Sequence, residues 1–245
     1  MMVSASVLII SQETRAEDLS LYTEHVVYYK NEGVKGYLAR PAEEGTYPGL
    51  ILIHEWWGLN DNIREFAEDF AKLGYVALAV DLYNGHSAET PDEARKLATG
   101  VRNNLPQAFD NLSMAVAFLQ DSPHVEENRL ASVGWCFGGG WSYEMARNDM
   151  GVRASVMYYG RFSPDDDFSN MRALILGNFG EEDRAISVDS VREFQATLKT
   201  LNGKHEIYIY PNAGHAFANS DSANYNAEAA DLAWEQTLAF LNKYL

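Results

Sequence analysis

Cysteine occurs once in this chain of 245 residues, at position 136. A single thiol excludes an intrachain disulfide and any multi-cysteine zinc or iron–sulfur site. Positive charge is also scarce, with 19 Lys and Arg against 35 Asp and Glu and a formal net charge of −16. A field of that sign repels phosphate backbones and anionic membrane surfaces, so no nucleic-acid partner is expected. No apolar run approaches the roughly 18 residues of a membrane-spanning helix, and the sequence predicts a soluble chain with no membrane partner. Internal repeats, low-complexity tracts and a linker rich in Pro, Gly and Ser are missing too. What is present is 47% apolar, 12% aromatic and 22% charged, enough apolar surface to offset the conformational entropy of folding. The length suits one large α/β core.

Residues 1–21 read as an N-terminal extension, either disordered or a signal remnant, and residues 22–245 as a single α/β domain. Val3 to Ile10 is short for the core of a signal peptide, follows no Lys or Arg and precedes no clear cleavage site. The expected compartment is therefore the cytoplasm, with a periplasmic or secreted protein as the alternative. From about residue 22, apolar runs of strand type alternate with helical-period segments, the pattern of a mostly parallel sheet covered by helices on both faces. Strands are predicted at Glu24 to Lys30, Gly36 to Arg40, Gly49 to His54, Tyr75 to Val80, Ala131 to Trp135, Ala154 to Tyr158, Ala173 to Leu176 and Glu206 to Tyr210. The first two, joined through Asn31-Glu32-Gly33, form an antiparallel edge hairpin. Ile63, Phe66, Ala67 and Phe70 share one helix face between the caps Asn60 or Asp61 and Gly74. Two later helices carry Val191, Phe194, Leu198 and Leu201, then Trp234, Leu238, Leu241 and Leu245.

The strand ending at Trp135 runs into Cys136-Phe137-Gly138-Gly139-Gly140, and Ser142 to Arg147 reads as helix. Strand, nucleophile and helix in this order form the G-x-S-x-G elbow, with cysteine in place of serine. Gly134 and Gly138 stand two before and two after Cys136, where side chains would collide as strand and helix approach. The helix N-terminus directs free N–H groups and the positive end of its dipole at the sulfur, favouring a thiolate and later an oxyanion. A nucleophile of this kind needs a base and an orienting acid, which in such folds follow in chain order. The loop after Ala173 to Leu176 contains Glu181-Glu182-Asp183, and the loop after Glu206 to Tyr210 contains His215. His215 is the candidate base and Asp183 the candidate acid, with Glu182 and Glu181 as alternatives if the register differs. His25, His86, His124 and His205 lack such context.

The strand Gly49 to His54 ends in Glu55-Trp56-Trp57-Gly58-Leu59-Asn60, the loop that in this arrangement supplies a second oxyanion donor. The backbone N–H groups of Trp56 and Phe137 are the candidate oxyanion hole. The negative charge of Glu55 would oppose a thiolate and hold the resting site as neutral SH, unless Glu55 is only a solvated loop residue. His54-Glu55 without a second His four residues on is not the metalloprotease pattern, and no metal or cofactor is expected. Asp165-Asp166-Asp167 reads as a solvated acidic turn rather than a cation loop.

Gly-Trp-Cys-Phe-Gly-Gly at 134 to 139, His-Glu-Trp-Trp-Gly-Leu-Asn at 54 to 60, Gly-Glu-Glu-Asp at 180 to 183 and Pro-Asn-Ala-Gly-His at 211 to 215 together resemble the dienelactone hydrolase family of α/β-hydrolases. The resemblance spans nearly all the chain after residue 20. It implies an α/β-hydrolase fold, a Cys136–His215–Asp183 triad and a part for Glu55 in switching the thiol when substrate binds. It also implies two arginines that hold a substrate carboxylate. Asn84-Gly85 and Asn219 stand where these should be, and Arg161 is the one candidate for a compensating cation. The expected substrate is therefore a small neutral ester or lactone in a pocket lined by Trp57, Tyr83, Trp135, Phe217 and Asn219, with aryl phosphotriesters as a further possibility. The expected assembly is a monomer or homodimer. The alternative reading is a non-catalytic ligand-binding module, or one that uses Cys136 as a redox sensor.

Overall fold

The computed structural model describes residues 19–29, 34–201 and 203–245. The Val3 to Ile10 segment, the turn Asn31-Glu32-Gly33 and nearly all of the expected extension lie outside them. Eight strands form one sheet in the order β1-β2-β4-β3-β5-β6-β7-β8. They are β1 (Leu21–Tyr29), β2 (Val34–Pro41), β3 (Tyr47–Ile53), β4 (Val76–Val80), β5 (Val125–Trp135), β6 (Ala154–Tyr158), β7 (Leu174–Gly180) and β8 (Glu206–Tyr210). β2 pairs antiparallel with both β1 and β4, and every pairing from β4 through β3 to β8 is parallel. The expected mostly parallel sheet with an antiparallel edge is therefore present. β3 lies between β4 and β5, so the chain moves to one side after β3 and crosses to the other before β5. The crevice at the carboxyl ends of β3 and β5 is the place where such sheets assemble their sites.

Period-two alternation divides the core. Leu50 and Leu52 of β3 face one helical layer and Ile51 and Ile53 face the other, all four fully buried. Each such aliphatic side chain contributes about 1.5–3 kcal/mol of burial. One layer holds α1 (Asp61–Lys72) and α6 (Ala227–Tyr244); the other holds α2 (Pro91–Arg102), α3 (Leu105–Gln120), α4 (Phe137–Arg147) and α5 (Val188–Thr200). The Asn60 side chain caps α1 by accepting from the Ile63 N–H. Gly74 follows the helix at φ +88, and its N–H reaches the Ala71 carbonyl. α2 buries only Ala94 and Ala98. Such a buried face lacks the large apolar residues that mark the other predicted helices, so the sequence does not predict this one. β5 and β7 extend beyond their predicted spans, and β7 takes in Gly177 to Gly180.

α4 is bonded to the sheet through three buried hydroxyls. Ser142 Oγ lies 2.9 Å from Ser132 Oγ of β5 and 2.8 Å from Ser155 Oγ of β6, and Ser155 Oγ also donates to the Ser142 carbonyl at 2.7 Å. At Gly138 the α4 backbone rests on β3, and a Cβ there would overlap the carbonyl oxygens of Ile53 and His54. Gly100, in the exposed face of α2, has open space where its Cβ would be. The two positions should therefore respond with opposite sign. Gly138→Ala is expected to lower unfolding stability by about 1–3 kcal/mol by forcing α4 off β3. Gly100→Ala is expected to raise it by about 0.5–1 kcal/mol by removing unfolded-state entropy. Urea unfolding of both variants checks this, and a stabilised Gly138→Ala would refute the close contact.

Candidate active site

β5 ends at Trp135, and Cys136 follows as the N-cap of α4 with φ 51 and ψ −110. Residues with a Cβ rarely occupy this region, and holding one there costs of order 1–3 kcal/mol. Two backbone bonds fix the turn: the Cys136 N–H donates to the Tyr158 carbonyl at 3.0 Å, and the Cys136 carbonyl accepts from Gly140 at 3.2 Å. The sulfur is thereby raised above the carboxyl edge of the sheet. His215, in the loop after β8, brings Nε2 to 3.1 Å from Cys136 Sγ. Its Nδ1 lies 2.8 Å from Asp183 Oδ2. Asp183 in turn accepts at Oδ1 from the backbone N–H groups of Ala185 (2.7 Å) and Ile186 (3.0 Å). Asp183 is buried and Glu181 and Glu182 are exposed, so Asp183 is the carboxylate that meets His215.

Burial alone would disfavour a charged His215. The Asp183 carboxylate and the Cys136 sulfur outweigh it, and the imidazole is pushed up to about 10. The ring is therefore poised as an imidazolium between a carboxylate and a sulfur. Folding raises this pKa, so the pairing contributes its stability in full below the unfolded imidazole value of about 6.5 and loses it as the pH rises through the folded one.

The opposite wall comes from the loop after β3. Phe137 opens α4, so its N–H has no acceptor within the helix. Trp56 lies across from it, and both border the same cavity as Cys136. Two groups hold this loop in place, His54, which the sequence does not single out, and Tyr83, which was expected to line the pocket. Buried His54 donates from Nδ1 to the Glu55 carbonyl at 2.5 Å and accepts at Nε2 from the Leu82 N–H at 3.2 Å. Accepting at Nε2 fixes one neutral tautomer, and burial also pushes the ring below the ordinary histidine value. Tyr83 donates to the Trp56 carbonyl at 3.1 Å and packs edge-on against His54. It supports Trp56 from behind and does not border the cavity.

Glu55 is 4% exposed, and its Oε2 accepts from Asn219 Nδ2 at 2.6 Å. Its Oε1 and the buried Tyr159 hydroxyl make no hydrogen bond of standard geometry, although the hydroxyl lies close enough to act on the carboxylate. Burial pushes the Glu55 carboxyl above the usual range, with the Asn219 amide, the His215 charge and the Tyr159 hydroxyl pulling the other way. Burial thus works against the expected negative charge on Glu55, and its polar neighbours restore only part of the lost solvation. Glu55, Trp57 and Asn219 do border a cavity of about 660 Å³ with Cys136 and His215.

Besides Tyr83, two other expected lining residues lie elsewhere. Trp135 shares strand parity with Val133 and points to the α1/α6 layer, where it stacks on Phe66 at 4.4 Å and walls a separate cavity. Phe217 is fully buried among Tyr158, Tyr159 and Tyr210. In the acidic turn, Asp166 accepts from Tyr143 and Asp167 from the Ser169 N–H. Among the described residues no three His, Cys, Asp or Glu side chains cluster as metal ligands, and no helix is long and apolar enough to cross a membrane.

An imidazole NMR titration tests the electrostatics. His215 is expected to titrate near pH 10, and lower in Asp183→Asn, where the first of the two raising partners loses its charge. A midpoint near the ordinary value in the wild type would refute the pairing.

Comparison with known proteins bears on the family and the fold. Residues 34–245 match the sequence profile of the dienelactone hydrolase family. A relative from Methylorubrum extorquens assigned as a carboxymethylenebutenolidase is 29% identical over 96% of this chain and 86% of its own length. One from Bradyrhizobium assigned as a 2-oxo-3-(5-oxofuran-2-ylidene)propanoate lactonase is 31% identical over 85% of this chain and 89% of its own. The crystal structure of a protein from Klebsiella pneumoniae assigned as a dienelactone hydrolase superposes with a TM-score of 0.82 at 25% identity, covering 92% of this chain and all of that one. With the family profile matched over most of its length, this chain has the α/β-hydrolase fold and belongs to the dienelactone hydrolase family.

Proposed function

We propose that this hydrolase cleaves activated carboxylic esters and small lactones through a thioacyl enzyme formed on Cys136. The observation that carries the reading is the continuous line Asp183–His215–Cys136, with contacts of 2.8 and 3.1 Å, at the N-terminus of α4. The thiolate adds to the carbonyl carbon, and the oxygen takes up the negative charge between the N–H groups of Trp56 and Phe137. The intermediate collapses with cleavage of the C–O bond, and His215 Nε2 gives its proton to the departing oxygen. In a lactone that oxygen stays tethered to the acyl group. Water then adds to the thioacyl carbon while His215 accepts its proton, and the sulfur leaves. Asp183 holds the ring orientation throughout.

The cavity bordered by Glu55, Trp57 and Asn219 has no Lys or Arg on its wall. The part of the substrate lodged there is uncharged, in keeping with Gly85 and Asn219 at the two positions where arginines were expected. The same thiolate and donors suit an aryl phosphotriester, with the sulfur displacing the phenolate from phosphorus.

Turnover of p-nitrophenyl esters by folded variants tests the mechanism. Cys136→Ala is expected to lose on the order of a million-fold in kcat. Asp183→Asn is expected to lose about ten-thousand-fold, because the ring is no longer held in the productive tautomer. Equal rates in wild type and Cys136→Ala would remove Cys136 from the reaction. Absence of ester and lactone turnover in the wild type would overturn the hydrolase reading in favour of a binding or redox module.

A further inference from the structure

We propose that a second cavity beside Cys136 is a subsite for the anionic end of an amphipathic substrate, recognised by Arg102 and Arg161. This cavity, of about 650 Å³, shares Trp56, Cys136 and His215 with the first and extends away from Glu55 along α2 and α4. The inference rests on Cys136 being the reacting thiol of the proposed hydrolase.

Its wall inverts the charge of the rest of the protein. In a chain with an excess of 16 negative charges, this cavity is bordered by Arg95, Arg102, Arg147 and Arg161 and by one carboxylate, Glu144. Glu144 is already engaged by Arg147, whose Nη2 and Nε lie 2.6 and 3.2 Å from Oε2. Arg95 pairs with Asp92 at 2.7 Å. Among the described residues, Arg102 and Arg161 have no carboxylate partner. The cavity thus keeps two uncommitted guanidinium groups, each a planar fork of donors suited to an oxyanion.

Both are placed relative to the reacting atom. Arg102 Cζ lies 5.9 Å from the centroid of the Phe137 ring, next in chain to Cys136, and a guanidinium over an aromatic face is held there by the ring quadrupole. The Arg161 backbone packs against Gly140 in the first turn of α4, where an added Cβ would meet the Arg161 carbonyl oxygen at 3.4 Å. The surface shared with them is apolar, formed by Leu105, Phe109, Trp141 and Ile186. Such a wall takes an apolar segment beside the reacting carbon and a carboxylate or phosphate at its far end. The two positions where the family resemblance placed arginines do not contribute: Asn219 borders the other cavity, and Gly85 neither.

Alkylation of the single cysteine tests this without requiring turnover. The probes are N-bromoacetyl-aminohexanoate, N-bromoacetyl-aminohexyl phosphate and the uncharged N-bromoacetyl-aminohexanol. In each, the Cys136 thiolate displaces bromide, forming a C–S bond that mass spectrometry counts. The overall negative field alone would slow the two anionic probes. With the subsite, at least one of them is expected to react about tenfold faster than the alcohol, the worth of a charge-assisted hydrogen bond. The faster anion identifies the headgroup. The preference is expected to vanish in the double variant Arg102→Met, Arg161→Met and to persist in Arg172→Met, which alters an exposed arginine paired with Asp149. Equal rates for all three probes in the wild type, or a preference that survives the double variant, would overturn the proposal. A preference found in a protein that turns over no ester would sink the hydrolase reading and leave the subsite standing. Ester turnover without the preference would sink the subsite alone.

Discussion

The strand-to-helix turn at Cys136 is the constraint on which the rest of the site depends. A non-glycine residue at φ 51 is held in an unfavourable region, so the surrounding packing must over-determine it. Three contacts do so at different levels. The Cys136 N–H is bonded to β6, the Ser132–Ser142–Ser155 hydroxyls tie α4 to β5 and β6, and the bare Gly138 backbone rests on the end of β3. These contacts fix the start of α4 relative to the loop after β3, which sets the gap between the N–H groups of Phe137 and Trp56. The same placement decides that both cavities open at the sulfur. Loosening the turn would therefore disturb Cys136, the backbone of Phe137 and Trp56 and both cavities together.

Two buried carboxylates flank the reacting pair, and their hydrogen bonds give them different roles. Asp183 accepts two backbone N–H groups and faces an imidazole, so its charge is well supplied with donors. Glu55 has one side-chain amide within standard hydrogen-bond geometry and the Tyr159 hydroxyl more loosely placed, and burial shifts it towards its protonated form. That shift weakens the opposition between Glu55 and negative charge elsewhere in the site. His54 adds a fixed element, since its neutral tautomer is determined by one donor and one acceptor of the backbone.

Most of the sheet was legible because β-branched and apolar runs bounded by glycine and polar loops carry the period of two. The three groups Cys136, Asp183 and His215 were legible because each follows a strand at the carboxyl edge, where parallel sheets converge. Trp135 was misplaced although its parity with Val133 already directs it to the opposite face. Proximity in sequence to the nucleophile is a weaker guide than strand alternation. Phe217 was misplaced for a related reason, since its loop folds the ring back into the aromatic cluster of β6 and β8. His54 was unreadable as a strut because both of its partners are backbone groups, which have no sequence signature.

The arginines show a different limit of sequence reading. Arg161 stands after a predicted strand and could be singled out, whereas Arg95 and Arg102 sit on α2, which buries only two alanines and none of the large apolar residues that mark the other predicted helices. Their separation of seven residues is two helical turns, so both project from one side of the helix. That relation becomes informative only once α2 is known to border the same cavity as Cys136. The cations then occupy the cavity on the far side of the sulfur from Glu55 and Asn219. The space around Cys136 is consequently polar in direction, with a wall free of cations on one side and guanidinium groups on the other. An amphipathic ester has one favourable orientation in such a field, and the reversed one would leave its charged end beside Glu55 with no cation on that wall.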